Sequence, residues 1–198
     1  MNAPTRFSRL LGAAFVAGTI TLTGCSTGMQ EHGSSAPAGQ DAAFNDADVA
    51  FAQGMIPHHE QAIEMAQLAE DRAGDPRISD LAARIEAAQA PELDTLEGWL
   101  ADWGAEPEGD GGHDGHGGSS MGIMSQEDMD ALGTASGAEF DQLFLEQMIE
   151  HHTGAVEMAE TELDEGEFAD ALEMAESIRT SQAEEITEME QLLDELAG

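Results

Sequence analysis

Residues 51–66 read FAQGMIPHHEQAIEMA and residues 144–159 read FLEQMIEHHTGAVEMA, and the two stretches align without a gap. The same shift of 93 residues superposes the whole of 51–104 on 144–197. Apolar residues recur in both copies at helical rather than strand spacing. A single pair of helices cannot bury its apolar face, whereas two packed pairs can. The repeat therefore predicts an all-α fold, an antiparallel four-helix bundle built from two repeated helical hairpins.

The helix ends follow from local signals. Asp75-Pro76 predicts an N-cap followed by a first-turn proline, and Ser136-x-x-Glu139 predicts a capping box. Ser125-x-x-Asp128 indicates one short extra helix, while Pro57 and Pro91 should kink their helices or remove a backbone hydrogen bond. On a helical wheel His59 falls within the apolar stripe of the first helix, with Phe51, His58 and Met65 at its border. The long helices are expected near 46–72, 76–103, 137–164 and 167–197.

The N-terminus has the pattern of an export signal. Arg6 and Arg9 precede an apolar run over 10–22, which is too short to span a bilayer but suits a signal peptide. The run ends in Leu22-Thr23-Gly24-Cys25, which resembles the lipobox of bacterial lipoproteins, where cleavage precedes an acylated cysteine. The alternative is a chance cysteine in an ordinary signal peptide. We expect an exported lipoprotein on the outer side of the cytoplasmic membrane, at the cell surface or in the periplasm.

These patterns divide the chain into segments. They are the signal peptide (1–24), the lipidated Cys25 with a flexible tether (25–43) and the bundle (44–198), which comprises repeat 1 (44–104), a Gly- and His-rich loop (105–135) and repeat 2 (136–198).

The charge of the chain limits its partners. It has 198 residues, with 41 acidic against 6 basic side chains and a formal net charge of −35. Such a surface repels phosphate backbones, which excludes nucleic acid, and membrane contact is expected through the lipid anchor only. It attracts cations, although solubility or a salty habitat would explain the same composition. Cys25 is the only cysteine, so thiolate metal sites and disulfides are excluded from the bundle.

Both repeats carry the pattern Met-x-x-His-His-x5-Met. On a helix the first methionine lies one turn from both histidines, and the second lies two turns beyond the first histidine on the same side. Neutral thioether and imidazole ligands without thiolate favour Cu(I), and by the same softness Ag(I). The competing interpretation is that these side chains only pack in the core. The eight candidate metal ligands are Met55, His58, His59, Met65, Met148, His151, His152 and Met158.

Other metal sites fit the sequence less well. No Glu-x-x-His precedes the paired histidines, as a di-iron bundle needs, and neither His-Glu-x-x-His nor an EF-hand loop occurs. Haem held between one Met and one His remains an alternative. A looser cluster in and after the Gly-rich loop could be an auxiliary copper site or only a solvated linker. It consists of His113, His116, Met121 and Met124.

The paired MI-x-HH-x-x-A-[IV]-E-MA segments, each followed by Gln-Ala-x-Glu-[LI], resemble the DUF305 family. The resemblance covers about 44–197 and implies a ferritin-like four-helix bundle, with copper and silver binding outside the cytoplasm in support of copper tolerance. It implies ligation by the same eight Met and His residues. Family members often carry a further Met in Glu-Ile-x-x-Met, which Met189 fits, whereas Leu96 stands at the equivalent position of the first repeat.

The sequence thus predicts an exported, lipid-anchored protein that sequesters or relays Cu(I), with a copper-handling protein as an expected partner. It favours a binding protein over an enzyme and has no catalytic residues to assign. Two alternatives stay open: a cuprous oxidase, which would turn over Cu(I) with oxygen, and a metal-free interaction protein of the cell envelope. The oligomeric state is not encoded in any feature of the sequence.

Overall fold

The structure, a computed structural model of the chain, describes residues 43–106 and 121–198. The expected signal peptide (1–24), Cys25, the tether up to residue 42, His113 and His116 lie outside the described residues. Within the two described ranges, no helix combines the length and apolarity that a bilayer crossing requires. Five helices follow one another there: α1 (Asp46–Arg72), α2 (Pro76–Trp103), α3 (Gln126–Thr134), α4 (Ala138–Glu165) and α5 (Ala169–Ala197).

The predicted fold class is confirmed. The helix α1 packs along α2, and α4 packs along α5, so each repeat forms one hairpin. The hairpins meet where α1 contacts α4, and the short α3 lies against both of these helices. Equivalent positions of the two hairpins meet at this contact, for example His58 and His151, so the hairpins are related by an approximate two-fold axis between α1 and α4.

Two of the three predicted helix caps are present. Asp75 accepts the backbone N–H of Arg77 at 2.9 Å, with Pro76 in the first turn of α2. Ser125 and Asp128 form the capping box of α3. The predicted capping box at Ser136-x-x-Glu139 is wrong. Gly137 is the N-cap of α4, with a φ of +62° and no side-chain cap, because its N–H donates to Arg72 O at 2.8 Å and draws the chain toward the α1–α2 turn.

The helices α1 and α2 continue through Pro57 and Pro91. Both prolines are exposed, so each ring lies on the outer face of its helix, away from the core. Neither proline ends a helix, and glutamates occupy the equivalent positions 150 and 184 of the second repeat.

Two buried carboxylates join the hairpins. Asp48 in α1 accepts the backbone N–H groups of Glu167 and Phe168, at 3.1 and 2.9 Å, in the turn between α4 and α5. Asp141 in α4 accepts the N–H groups of Gly74 and Asp75, both at 2.9 Å, in the turn between α1 and α2. These four backbone positions and two aspartates are equivalent under the 93-residue shift. Each hairpin therefore caps the turn of the other, and we call this arrangement the aspartate clasp.

Candidate metal centre

The paired histidines lie where the two hairpins meet. The rings of His58 in α1 and His151 in α4 have centroids 3.6 Å apart and are tilted by 45°. They occupy equivalent positions of the two repeats, so the two-fold axis brings them together. Their neighbours His59 and His152 are fully buried as well. The structure thus gathers imidazoles from both repeats in the interior, as the sequence predicts.

Three of the four imidazoles share one hydrogen-bonding pattern. His59 Nε2 lies 2.8 Å from Glu92 Oε2, and His152 Nε2 lies 2.7 Å from Glu185 Oε2. His58 Nε2 lies 3.1 Å from Met121 O. Each partner is an acceptor, so Nε2 carries the proton and Nδ1 keeps its lone pair. Among the described residues none of these Nδ1 atoms has a hydrogen-bond partner, and His151 has none at either nitrogen.

The environment keeps the central pair neutral. Burial lowers the pKa of His58 to about 3, and repulsion from His59 acts in the same direction. Burial also holds the pKa of His151 well below its usual range, with repulsion from His58 as the next cause. A neutral imidazole presents a lone pair to a metal ion, whereas imidazolium does not. Both rings are therefore ready to act as ligands near neutral pH.

The candidate methionines lie on either side of this pair. Met65 and Met148 belong to one buried apolar cluster, and Met55 and Met158 belong to a second. Each cluster therefore receives one candidate methionine from each repeat. Met158 is 7% exposed, and the other three are fully buried. A Cβ built on Gly54 would lie 3.4 Å from Met158 Sδ, which places that sulfur against α1.

The two clusters differ in sulfur content. Met189 of α5 is fully buried in the cluster of Met65 and Met148. Its equivalent Leu96 lies in the cluster of Met55 and Met158. The two sides of the histidine pair thus offer unequal numbers of thioethers.

A short segment, residues 121–124, crosses the α1/α4 seam beside the histidines. Met121 O accepts from His58, while Gln61 exchanges two hydrogen bonds with the backbone of Met124, at 3.0 and 2.6 Å. A Cβ on Gly154 would lie 1.8 Å from Met121 O, so α4 needs glycine there. We call this segment the strap. Of the two candidate methionines in it, Met121 is half exposed and Met124 packs into the core.

Within the described ranges, no three His, Cys, Asp or Glu side chains converge as a metal site. The buried side chains beside the imidazoles include methionine thioethers, which are ligands for soft metal ions. Glu92 and Glu185, the two hydrogen-bond partners of the histidines, are not among the site residues predicted from the sequence. The repeat carries a signal for them, because both stand at the same place in Gln-Ala-x-Glu.

The sequence model of the family described as "Domain of unknown function (DUF305)" matches residues 48–193. No curated protein matches the chain significantly. Among solved structures, a DUF305 protein from Streptomyces coelicolor, described as secreted, is 32% identical, with a TM-score of 0.69 over 77% of this chain and 93% of that one.

The protein CopM in its Cu(I)-bound form is also similar. It is 32% identical, with a TM-score of 0.63 over 76% of this chain and 98% of that one. Its Cu(II)-bound form is 35% identical, with a TM-score of 0.64 over 75% of this chain and 96% of that one. An Ag-bound form is 32% identical, with a TM-score of 0.64 over 76% of this chain and 98% of that one.

Proposed function

The chain belongs to the DUF305 family, and on that premise we propose that it binds copper as cargo, as Cu(I), through Met and His side chains of the bundle interior. Ag(I), which has the same softness, would bind to the same ligands. CopM, which has solved copper-bound and silver-bound forms, supports this assignment by its similarity. The proposed ligands are the eight residues of the two Met-x-x-His-His-x5-Met patterns.

The observation that carries the proposal is the set of buried imidazoles whose Nδ1 atoms have no partner in the described part of the chain. A buried polar atom without a hydrogen bond costs about 1–3 kcal/mol, so a fold that retains four such atoms has a use for them. A metal ion is the natural partner of a lone pair on a neutral ring.

The carboxylates beside the site suit a cationic cargo. Histidine ligands usually donate their other N–H to a carboxylate or carbonyl, which fixes the ring and raises its basicity. Glu92 and Glu185 hold His59 and His152 in this way. Their negative charges also offset the charge of a metal ion in an interior of neutral thioethers and imidazoles.

We further propose that the protein is exported and lipid-anchored through Cys25, with the segment boundaries expected from the sequence. The apolar run and lipobox pattern support this, as does the S. coelicolor relative described as secreted. On the outer side of the cytoplasmic membrane, the bundle would sequester Cu(I) or relay it to a copper-handling partner and so support copper tolerance. His113, His116, Met121 and Met124 are proposed as an auxiliary site.

The test is anaerobic titration with Cu(I) against a chromophoric chelator. The double variant Met55→Leu with Met148→Leu keeps the buried volume but removes one thioether from each cluster. We expect the affinity for Cu(I) to fall at least tenfold while helicity is unchanged. Met129→Leu is the matched control, because Met129 is a buried methionine of α3 outside the proposed ligand set. Equal affinities in all three proteins would contradict the assignment.

A further inference from the structure

The seam between α2 and α5 differs at its two ends. At one end Arg84 of α2 pairs with Glu188 of α5 at 2.6 Å, and Arg77 pairs with Glu195. These two ion pairs bridge the helices at the end where Glu185, the partner of His152, has a side chain that is 17% exposed.

The 93-residue shift places different residues at the other end. Ser177 and Asp170 replace the two arginines, and Thr95 stands where the first bridge has Glu188. No bridge can form from this combination of residues. An open groove of about 380 Å³ lies there, and Thr95, Asp170 and Ser177 line it together with Glu173, Met174 and Trp99.

Glu92 connects this groove to the histidines. It lines the groove, its side chain is 22% exposed, and its Oε2 lies 2.8 Å from Nε2 of the fully buried His59. His59 Nδ1 is buried without a partner in the described part of the chain. A single glutamate therefore separates an acidic groove, which is open to solvent, from an imidazole of the proposed metal centre.

The strap covers part of the opposite face of the bundle. The strap lies across the α1/α4 seam, and its backbone is in van der Waals contact with Gly154 and hydrogen-bonded to His58 and Gln61. The Glu92 end of the α2/α5 seam therefore combines a groove open to solvent with a glutamate that is hydrogen-bonded to a buried histidine.

We propose that Cu(I) enters and leaves the bundle through this groove. Asp170 and Glu173 attract the cation at the mouth, the thioether of Met174 provides a soft contact, and Glu92 leads it to His59. The inference rests on the proposed function, because it concerns the route to the same centre. It predicts a rate effect that is separate from affinity, since a blocked route slows loading and release equally.

The test measures the rate at which the full chain takes up Cu(I) from a chromophoric chelator complex, by anaerobic stopped flow. The variant Thr95→Glu with Ser177→Arg transfers the Arg84–Glu188 bridge into the groove. The matched control, Arg84→Ser with Glu188→Thr, removes that bridge from the other end of the seam. Both variants conserve the net charge, so long-range attraction of the cation stays the same.

We expect the first variant to load and release Cu(I) at least tenfold more slowly, with its equilibrium affinity within about twofold of wild type. The control should load at least as fast as wild type. Unchanged loading of the first variant would overturn the route, as would equal slowing of both variants. If the wild-type chain fails to bind Cu(I) at equilibrium, the proposed function itself fails, and the two failures are thus distinguishable.

A second pair of variants tests the same route without adding a salt bridge, so that the result does not depend on how the new bridge affects folding. Asp170→Asn with Glu173→Gln should slow loading several-fold and weaken its dependence on salt. Glu127→Gln with Asp130→Asn removes the same charge from exposed positions of α3. If both pairs slow loading equally, attraction is a property of the whole surface and the groove has no special role.

Discussion

At the scale of single residues, a substitution of His151 should lower the affinity for Cu(I) without lowering the stability of the metal-free protein. Both of its ring nitrogens are buried without a partner in the described part of the chain. We predict that His151→Leu leaves the metal-free protein as stable as wild type, or up to about 2 kcal/mol more stable, because it removes unpaired polar atoms. Its affinity for Cu(I) should fall at least tenfold. Urea unfolding of the metal-free protein and the chelator titration measure the two effects.

The adjacent histidine is the matched control. His152 pairs with Glu185, so His152→Leu leaves that carboxylate without its partner and should cost about 1 kcal/mol or more. A large loss of stability in the His151 variant would mean that its ring has a structural partner. This result would contradict the assignment of His151 as a metal ligand.

Glu162 should make the stability of the fold depend on pH. Its side chain is 1% exposed, and burial raises its pKa to about 8, with Asp48 as the next cause. Ala69 holds the equivalent position of repeat 1, so this acid belongs to one side of the bundle only. The protonated form is favoured in the folded chain. The contribution of protonated Glu162 to stability is therefore complete below its unfolded pKa of about 4.5 and is lost as the pH rises through about 8.

We predict that Glu162→Gln abolishes this contribution. Between pH 5 and pH 7 the free energy of unfolding of the wild type should fall relative to that of the variant, by on the order of 1 kcal/mol per pH unit. Unfolding in urea over this range measures the difference. A constant difference between the two proteins would show that Glu162 ionises normally in the folded chain.

At the scale of helices, the aspartate clasp determines how the hairpins pair. We predict that Asp141→Ala destabilises the protein by about 1–3 kcal/mol, because two backbone N–H groups lose their hydrogen bonds to a buried carboxylate. Asp102→Ala, at an exposed position of α2, is the control and should change stability by less than about 0.5 kcal/mol. Equal effects of the two substitutions on urea unfolding would contradict the clasp.

The strap is the second feature at this scale. A methyl group at position 154 would overlap Met121 O, so Gly154→Ala should displace the strap and leave the helices intact. Hydrogen exchange at the backbone N–H of Met124, which donates to Gln61, should accelerate at least tenfold. Exchange at the wild-type rate would mean that the strap is not held at Gly154.

Helix limits were predictable to within one or two residues because periodicity and caps are local. The full extent of the buried face of α1 and the long-range contacts were not predictable from the sequence. The wheel placed Phe51, His58 and Met65 at the border of the apolar stripe, yet all three are buried, because α1 is covered by α4 as well as α2. The contact of Asp48 with Phe168 joins residues 120 apart, and no local pattern in the sequence encodes such a pairing.

At the scale of the whole molecule, duplication brings two identical motifs together across a two-fold axis and then lets their surroundings diverge. The histidine pair and the aspartate clasp keep the symmetry of the repeat. The thioethers do not, since Met189 is matched by Leu96, and neither do the two ends of the α2/α5 seam. Symmetry thus accounts for the proposed centre, and the departures from it account for the proposed route to it.

Copper K-edge X-ray absorption on the Cu(I)-loaded protein tests the central claim most directly, because it identifies the atoms bound to the metal. The loop histidines are removed for this measurement by His113→Gln and His116→Gln, so that any remaining nitrogen ligand comes from the bundle or the tether. We predict a coordination shell that contains both thioether sulfur and imidazole nitrogen. A shell of nitrogen and oxygen alone, or loss of binding in this variant, would contradict a Met/His copper centre in the bundle.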